Sequence, residues 1–224
     1  MEFTDIIYKV FIKDGSWLTI LNGLRVTVEI SALSLLFGTL LGAIICYFRV
    51  GKITLLKMIA KAYIAIIRGS PVLMLLMLLF YGVFAKTGLS PIFVAVITFS
   101  LHTAAHVAEL LRSSLMALDK GQAEAARTLG FSAFQTFKLI TFPQIIRIAK
   151  PVYTSTAINL IQWTSVVGYV TITDLTRVIN NTASRTMQPM ITIIGGMLIY
   201  LLISYITYRL FDLSDRKQKT NSGE

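Results

Sequence analysis

Three side chains that could bind a metal ion or move protons follow one another at helical spacing near the middle of the chain. His102, His106 and Glu109 share one helix face, because residues three and four positions apart are neighbours on a helix surface. A His-x-x-x-His pair suits zinc, but a metal site needs a third ligand and an open position. We therefore expect these residues to pack against a neighbouring helix or to line a pathway, and we predict no metal, cofactor or catalytic site.

A second polar set lies in an otherwise apolar stretch. Ser155, Asn159 and Gln162 are spaced by four and three residues, which places them in one stripe. Polar groups at membrane depth are costly, and they mark either a substrate path or hydrogen bonds between packed helices. Both interpretations remain open from the sequence. The chain has no Gly-x-x-x-x-Gly-Lys-Ser/Thr phosphate loop, so we expect it not to be an enzyme that hydrolyses ATP.

The residues around these groups are those of a membrane protein. The 224-residue chain is 55% hydrophobic and 14% charged, whereas soluble domains carry about 25% charged residues. Five charge-free stretches have about the length that a helix needs to cross a bilayer: 30–48, 69–85, 87–108, 151–173 and 186–208. We predict an all-α membrane protein with five transmembrane helices. The first should extend N-terminally past Arg25 and Glu29, and the second past Arg68.

Positive charge is distributed unevenly between the two sides of these spans. If the C-terminus is cytoplasmic, 15 of the 21 Lys and Arg residues fall on the cytoplasmic side and 6 outside. Cytoplasmic loops carry the excess of such residues, so we place the N-terminus outside. This accounts for the net charge of +10 without nucleic acid as a partner. Residues 1–19 are then an extracytoplasmic segment, 20–211 the transmembrane domain, and 212–224 a polar cytoplasmic tail that we expect to fray.

The number of spans also favours a dimer, because five helices make a thin wall around an aqueous path. Gly38 and Gly42 form a small-xxx-small pair that lets a neighbouring helix approach closely, although ordinary glycine use in a membrane helix explains the pair equally well. We find no internal repeat of the kind that many secondary transporters have.

The segment between the third and fourth spans is too long for a simple turn and predicts two helices. Good helix formers over residues 122–129 end at Gly130, where a helix C-terminal glycine belongs. Ser132 and Gln135 have the spacing of a capping box that starts a second helix. We expect that helix to end shortly before Pro143, because proline disfavours helical geometry in the preceding residue. A compact helical elbow of this kind at the cytoplasmic face suits docking to a soluble partner.

This elbow, about residues 120–147, resembles the EAA loop of permease subunits of binding-protein-dependent ABC importers. The pattern is Glu-Ala-Ala, three residues, Gly, nine residues, Ile, one residue, Leu-Pro. Its fixed positions are filled here by Glu124, Ala125, Ala126, Gly130, Ile140 and Pro143, while Phe142 replaces the leucine. The chain is also similar to the polar amino acid permeases at Arg68-Gly-Ser-Pro71, Lys120-Gly-Gln122, Thr164-Ser165 and Asp174-Leu175.

The resemblance implies that the elbow is a coupling helix seated in a groove of a separate ABC ATPase. Implied partners are an ATPase dimer, an extracytoplasmic substrate-binding protein, a second permease subunit (identical or paralogous), a polar amino acid and the lipid bilayer of a bacterial inner membrane. Transport would proceed by alternating access. Arg68 joins Ser155, Asn159 and Gln162 as a candidate for the substrate pathway. Many relatives have Lys-Asp where this chain has Gln162-Trp163, which weakens the case for a cationic substrate.

Two other classes of function fit the sequence less well. A proton-coupled secondary transporter predicts acids central to the spans and an internal repeat. A membrane-embedded enzyme predicts converging acids and bases, for which only His102 and His106 are available. Co-purification with a soluble ATPase would separate the importer from both.

Overall fold

The computed structural model describes residues 3–221, and the regular elements of that range are all helical. The α-helices are α1 (Phe3–Ile7), α2 (Ser16–Val50), α3 (Thr54–Gly69), α4 (Val72–Met77), α5 (Pro91–Met116), α6 (Lys120–Thr128), α7 (Ala133–Thr136), α8 (Phe142–Trp163), α9 (Leu175–Thr186) and α10 (Pro189–Asn221). Wide π turns follow α1, α4 and α7, and a 3₁₀ segment follows α8. The predicted all-α fold is confirmed.

Within the described range, three helices are long and apolar enough to cross a membrane. They are α2, α5 and the part of α10 from Pro189 to Leu213. A fourth candidate is a broken pair, α3 and Val72–Val83, whose axes differ by 108°. The 22-residue α8 is not in this group and carries Arg147 and Lys150 in its first half. The count of five spans therefore stays a prediction.

The main core lies where α2, α4, α5 and α8 meet. Each of these helices contributes a large side chain that is fully buried: Ile30, Leu76, Phe99 and Leu160. The 3₁₀ segment adds Val167 and Val170 to the same cluster. These contacts fix the C-terminal end of α8 against α5, and the polar stripe of α8 is left on the opposite, exposed side.

Two glycines bring α2 onto α5. A Cβ atom at Gly38 would lie 2.7 Å from the Cβ of Thr103, and one at Gly42 would lie 2.7 Å from the Cβ of Val107. Both distances are shorter than carbon atoms tolerate, so any larger residue forces the helices apart. Of the two interpretations of the small-xxx-small pair, close helix approach is therefore the one observed, and it joins two helices of the same chain.

Gly42→Val is expected to destabilise the protein by about 1–3 kcal/mol or more, because overpacking a close contact costs this much. The check is the thermal unfolding midpoint of the detergent-solubilised protein. Gly82→Val is the matched control, since a Cβ at Gly82 would meet only the Leu78 side chain, at 3.6 Å. Equal midpoints for the two variants would contradict the role of Gly42.

The prediction that the second span extends through Arg68 as one continuous helix is wrong, although the broken pair remains a candidate for a single span. Arg68 lies in the last turn of α3, and a separate helix, α4, begins at Val72. Between them Ser70 is extended (φ −98°, ψ 138°). The ring of Pro71 excludes helical geometry from Ser70, which breaks the helix at this point. The expected extension of the first span is confirmed, because α2 runs from Ser16 to Val50.

The prediction that the second elbow helix ends before Pro143 is also wrong. α7 passes through the π turn Phe137–Thr141 directly into α8. The N–H of Phe142 bonds to the carbonyl of Phe137, five residues back, and Pro143 lies in the first turn of α8, where proline is tolerated. The span predicted at 151–173 therefore starts earlier, and its α-helix ends at Trp163.

The predicted tail from residue 212 is helical over its described residues. α10 continues to Asn221, because residues 212–221 contain no Gly or Pro to end it. The last residues of the predicted tail, 222–224, lie outside the described range. The fifth predicted span, 186–208, also starts slightly later, since Met187 has a left-handed conformation (φ 56°) and α10 begins at Pro189.

Candidate functional site

The first helix of the elbow has both ends fixed by local hydrogen bonds. At the start of α6, the N–H of Gly121 donates to Oδ1 of Asp119 at 2.9 Å. At its end, Gly130 has φ +87°, and the N–H of Phe131 donates to the carbonyl of Ala126 at 3.1 Å. The N–H of Gly130 donates to the carbonyl of Arg127, which completes a Schellman motif. Glycine is therefore needed at position 130 because it adopts a positive φ without steric strain.

The second helix starts with the predicted capping box, which is present. The N–H of Ser132 donates to Oε1 of Gln135 at 2.8 Å, and the N–H of Gln135 donates to the Ser132 hydroxyl at 3.2 Å. Across the elbow, Nε2 of Gln144 donates to Oε1 of Gln122 at 2.6 Å. This contact links α6 to the first turns of α8.

The six residues of the EAA pattern lie in this one compact unit but differ in exposure. Glu124, Ala125, Gly130 and Pro143 are exposed, and Ile140 is half-buried. Ala126 is only 3% exposed, so it packs inside the elbow of its own chain. Large apolar side chains are exposed nearby: Leu129, Phe134, Phe137, Leu139 and Phe142. An apolar surface of this extent is typical of a protein docking site.

The polar stripe of α8 lies on the surface of the chain. Ser155, Asn159 and Gln162 are all exposed. Gln162 lines a cavity of about 430 Å³ between α8, α9 and α10. Ser155 lines a smaller one of about 240 Å³ nearer the start of α8. Arg68 lies in the last turn of α3 and lines neither cavity.

The larger cavity is also lined by polar residues that are not among the predicted site residues. They are Thr176, Asn180, Tyr200 and Ser204. Thr176 and Asn180 belong to α9, which we did not predict. Two local signals indicated that helix. Asp174 accepts from the N–H groups of Thr176 and Arg177, as an N-cap does, and buried apolar residues recur at Leu175, Val178 and Ile179.

Asp174 is a structural acid at the start of α9. It is fully buried, and burial raises the pKa of its carboxyl group, although the N–H groups of Thr176 and Arg177 act in the opposite direction. Next to it, Nη1 of Arg177 donates to the carbonyl of Gly168 at 2.7 Å. This bond ties α9 to the 3₁₀ segment. The 3₁₀ segment is also tied to the π turn after α4, since the Tyr81 hydroxyl donates to the carbonyl of Tyr169 at 2.8 Å.

The histidine pair packs against the neighbouring helix, one of the two roles considered from the sequence. The rings of His102 and His106 lie 4.5 and 5.1 Å from the ring of Trp163 on α8, measured between centroids. Glu109 instead pairs with Arg112 on its own helix. Among the described residues, no three His, Cys, Asp or Glu side chains are grouped so that they could hold a metal ion.

Comparison with known proteins identifies the family. The model of the "Binding-protein-dependent transport system inner membrane component" family matches residues 34–220. The "Probable amino-acid ABC transporter permease protein YckA" of Bacillus subtilis (strain 168) is 36% identical over 200 residues, 88% of each chain. The nopaline transport system permease protein NocM of Agrobacterium fabrum is 31% identical over 88% of this chain and 86% of its own.

A solved structure agrees with these relatives. The crystal structure of an amino acid ABC transporter with histidines contains a chain that is 26% identical, with a TM-score of 0.82. The match covers 97% of this chain and 99% of that one. The chain thus matches this solved structure in fold and length, and the relatives in sequence, over most of its residues. The chain belongs to the family of inner membrane components of binding-protein-dependent transport systems.

Proposed function

We propose that this chain is the permease subunit of an ATP-driven importer of a polar amino acid, and that its elbow couples it to a separate ATPase. The observation that carries the proposal is the elbow itself, a short helix ended by a glycine in a left-handed conformation beside an exposed apolar surface. A relative named as a probable amino-acid ABC transporter permease and a structural neighbour named as an amino acid ABC transporter support the same assignment.

The elbow can transmit movement because it continues directly into α8, the fourth crossing of the proposed topology. The chain is helical without interruption from Ala133 through the π turn to Trp163. α6 is held to this rod by the bond between Gln122 and Gln144. A displacement of α6 by an ATPase would therefore move α8, which carries the polar stripe. Glu124 and Ala125 would contact the ATPase, whereas Ala126, Gly130, Ile140 and Pro143 keep the elbow in shape.

The proposed topology has five crossings: α2, the broken pair of α3 and α4, α5, α8 with its 3₁₀ segment, and α10. The positive-inside rule places the N-terminus outside and the C-terminus in the cytoplasm of a bacterial inner membrane. The exposed polar stripe is costly against lipid, so it should face an aqueous path or a second permease subunit, identical or paralogous. An extracytoplasmic binding protein would deliver the substrate, and alternating access would follow from ATP binding to the ATPase dimer.

The proposed orientation predicts from which side of the membrane a reagent reaches two exposed positions. Thr87→Cys and Ser132→Cys, each in a Cys46→Ala background, place a single thiol on the turn before α5 and in the elbow. A membrane-impermeant maleimide added to intact spheroplasts should label position 87, and it should label position 132 only after lysis. The reverse pattern would overturn the orientation.

Reconstitution of the assembled complex tests the function as a whole. The permease should co-purify with an ABC ATPase, and proteoliposomes should take up an amino acid only with ATP and the binding protein. Uptake driven by a proton gradient without ATP would instead assign the chain to the secondary transporters.

A further inference from the structure

The cavity beside Gln162 has an uncharged lining among the described residues that form it. Gln162, Thr176, Asn180, Tyr200 and Ser204 contribute amide and hydroxyl groups, and the remaining wall is aliphatic. Its volume of about 430 Å³ lies in the range of about 300–1,000 Å³ that small-molecule sites occupy. A charged group placed here would lose its hydration without gaining a counter-charge, so the lining favours an uncharged group.

A second cavity shares two lining residues with the first and contributes a single positive charge. Thr176 and Asn180 line both cavities, and the second, of about 400 Å³, adds Arg177. The bond from Arg177 to the carbonyl of Gly168 uses one of the five guanidinium N–H donors and fixes the group at the cavity wall. A guanidinium held in this way suits a carboxylate.

We propose that the two cavities form one binding site for an amino acid with an uncharged side chain. The carboxylate is bound by Arg177, the ammonium group by side-chain oxygens such as Oδ1 of Asn180, and the side chain occupies the cavity beside Gln162. The inference rests on the proposed transport function and specifies its substrate class. A cationic side chain finds no acid there, because the neighbouring Asp174 is fully buried and accepts backbone N–H bonds.

Equilibrium binding to the permease–ATPase complex in nanodiscs, without the binding protein, tests this selectivity. Labelled glutamine, glutamate and arginine serve as probes, because they differ in side-chain charge at similar size. Glutamine should bind, whereas arginine and glutamate should not compete with it. Arginine or glutamate binding as tightly as glutamine would overturn the proposal, and so would an intact complex that binds none of the three.

Two substitutions locate the site. Arg177→Gln should weaken glutamine binding by about tenfold to a hundredfold, because it removes a hydrogen bond to a charged group. Arg25→Gln is the control, since it removes an equal charge from an exposed position of α2 outside both cavities. Wild-type affinity in the Arg177 variant would contradict the site.

Gln162→Glu should create arginine binding that the wild type lacks, because it places an acid in the cavity proposed for the side chain, and misfolding cannot produce such a gain. No gain in a folded Gln162→Glu complex would also contradict the site. ATP-dependent uptake by the wild-type complex distinguishes failure of the proposed binding site from failure of the proposed function. If uptake is present but does not depend on Arg177, only the binding site fails. If no amino acid is taken up with ATP, the proposed function fails.

Discussion

Gly130→Val is expected to reduce ATP-driven uptake by at least about tenfold while the membrane domain remains folded. Gly130 has φ +87°, and a β-branched residue in that region is strained by about 1–3 kcal/mol. Open space surrounds the position, so the penalty comes from the backbone and not from a clash. Since 1.4 kcal/mol is a factor of ten, the strain is enough to depopulate the turn that orients α6. Uptake into proteoliposomes and ATPase co-purification measure the effect.

Gly88→Val provides a control with matched strain. Gly88 also has a positive φ, +68°, and a Cβ there would likewise meet nothing within 4 Å. It lies in the turn before α5, which the proposed topology places on the outer side. Both variants should lose a similar amount of thermal stability, but only Gly130→Val should uncouple transport. Equal transport in the two variants would show that the elbow conformation does not matter for coupling.

The second large effect is expected at Ala125, where Ala125→Trp should reduce co-purification of the ATPase by more than tenfold. Ala125 is exposed on α6, so tryptophan fits without disturbing the fold of the chain itself. A small residue allows a partner surface to approach closely, whereas an indole ring would hold it several ångströms away. Ala126 could not serve this test, because it is buried and a larger residue there would disrupt the elbow.

Ala85→Trp is the control for added bulk and hydrophobicity. Ala85 is also exposed but lies in the turn after the broken span, far along the chain from the elbow. This variant should assemble with the ATPase like the wild type. An Ala125→Trp protein that retains a full ATPase complex and normal uptake would remove the elbow from the proposed interface.

Local signals explain which parts of the fold could be predicted from the sequence. Charge-free runs identify α2, α5 and α10, because no soluble arrangement would cover so many apolar side chains. The capping box at Ser132 and the glycine end of α6 are determined by a few adjacent residues, and both are present. The break between α3 and α4 has a local signal in the proline that follows Ser70. The start of α9 has one in Asp174, its N-cap residue.

The parts that could not be predicted depend on contacts between distant segments. A π turn carries the helix past Pro143 into α8, and the residues around that proline alone favour a helix end. The cavity beside Gln162 forms only where α8, α9 and α10 meet, so Thr176, Tyr200 and Ser204 have no shared pattern in the sequence.

Photo-crosslinking from position 125 tests the coupling elbow most directly. p-Benzoylphenylalanine would be introduced at Ala125, and at Ala85 as a control, in the assembled complex in native membranes. We expect an adduct with the ATPase subunit from position 125 and none from position 85. An adduct between position 125 and the extracytoplasmic binding protein, or an intact complex with no ATPase adduct, would contradict it.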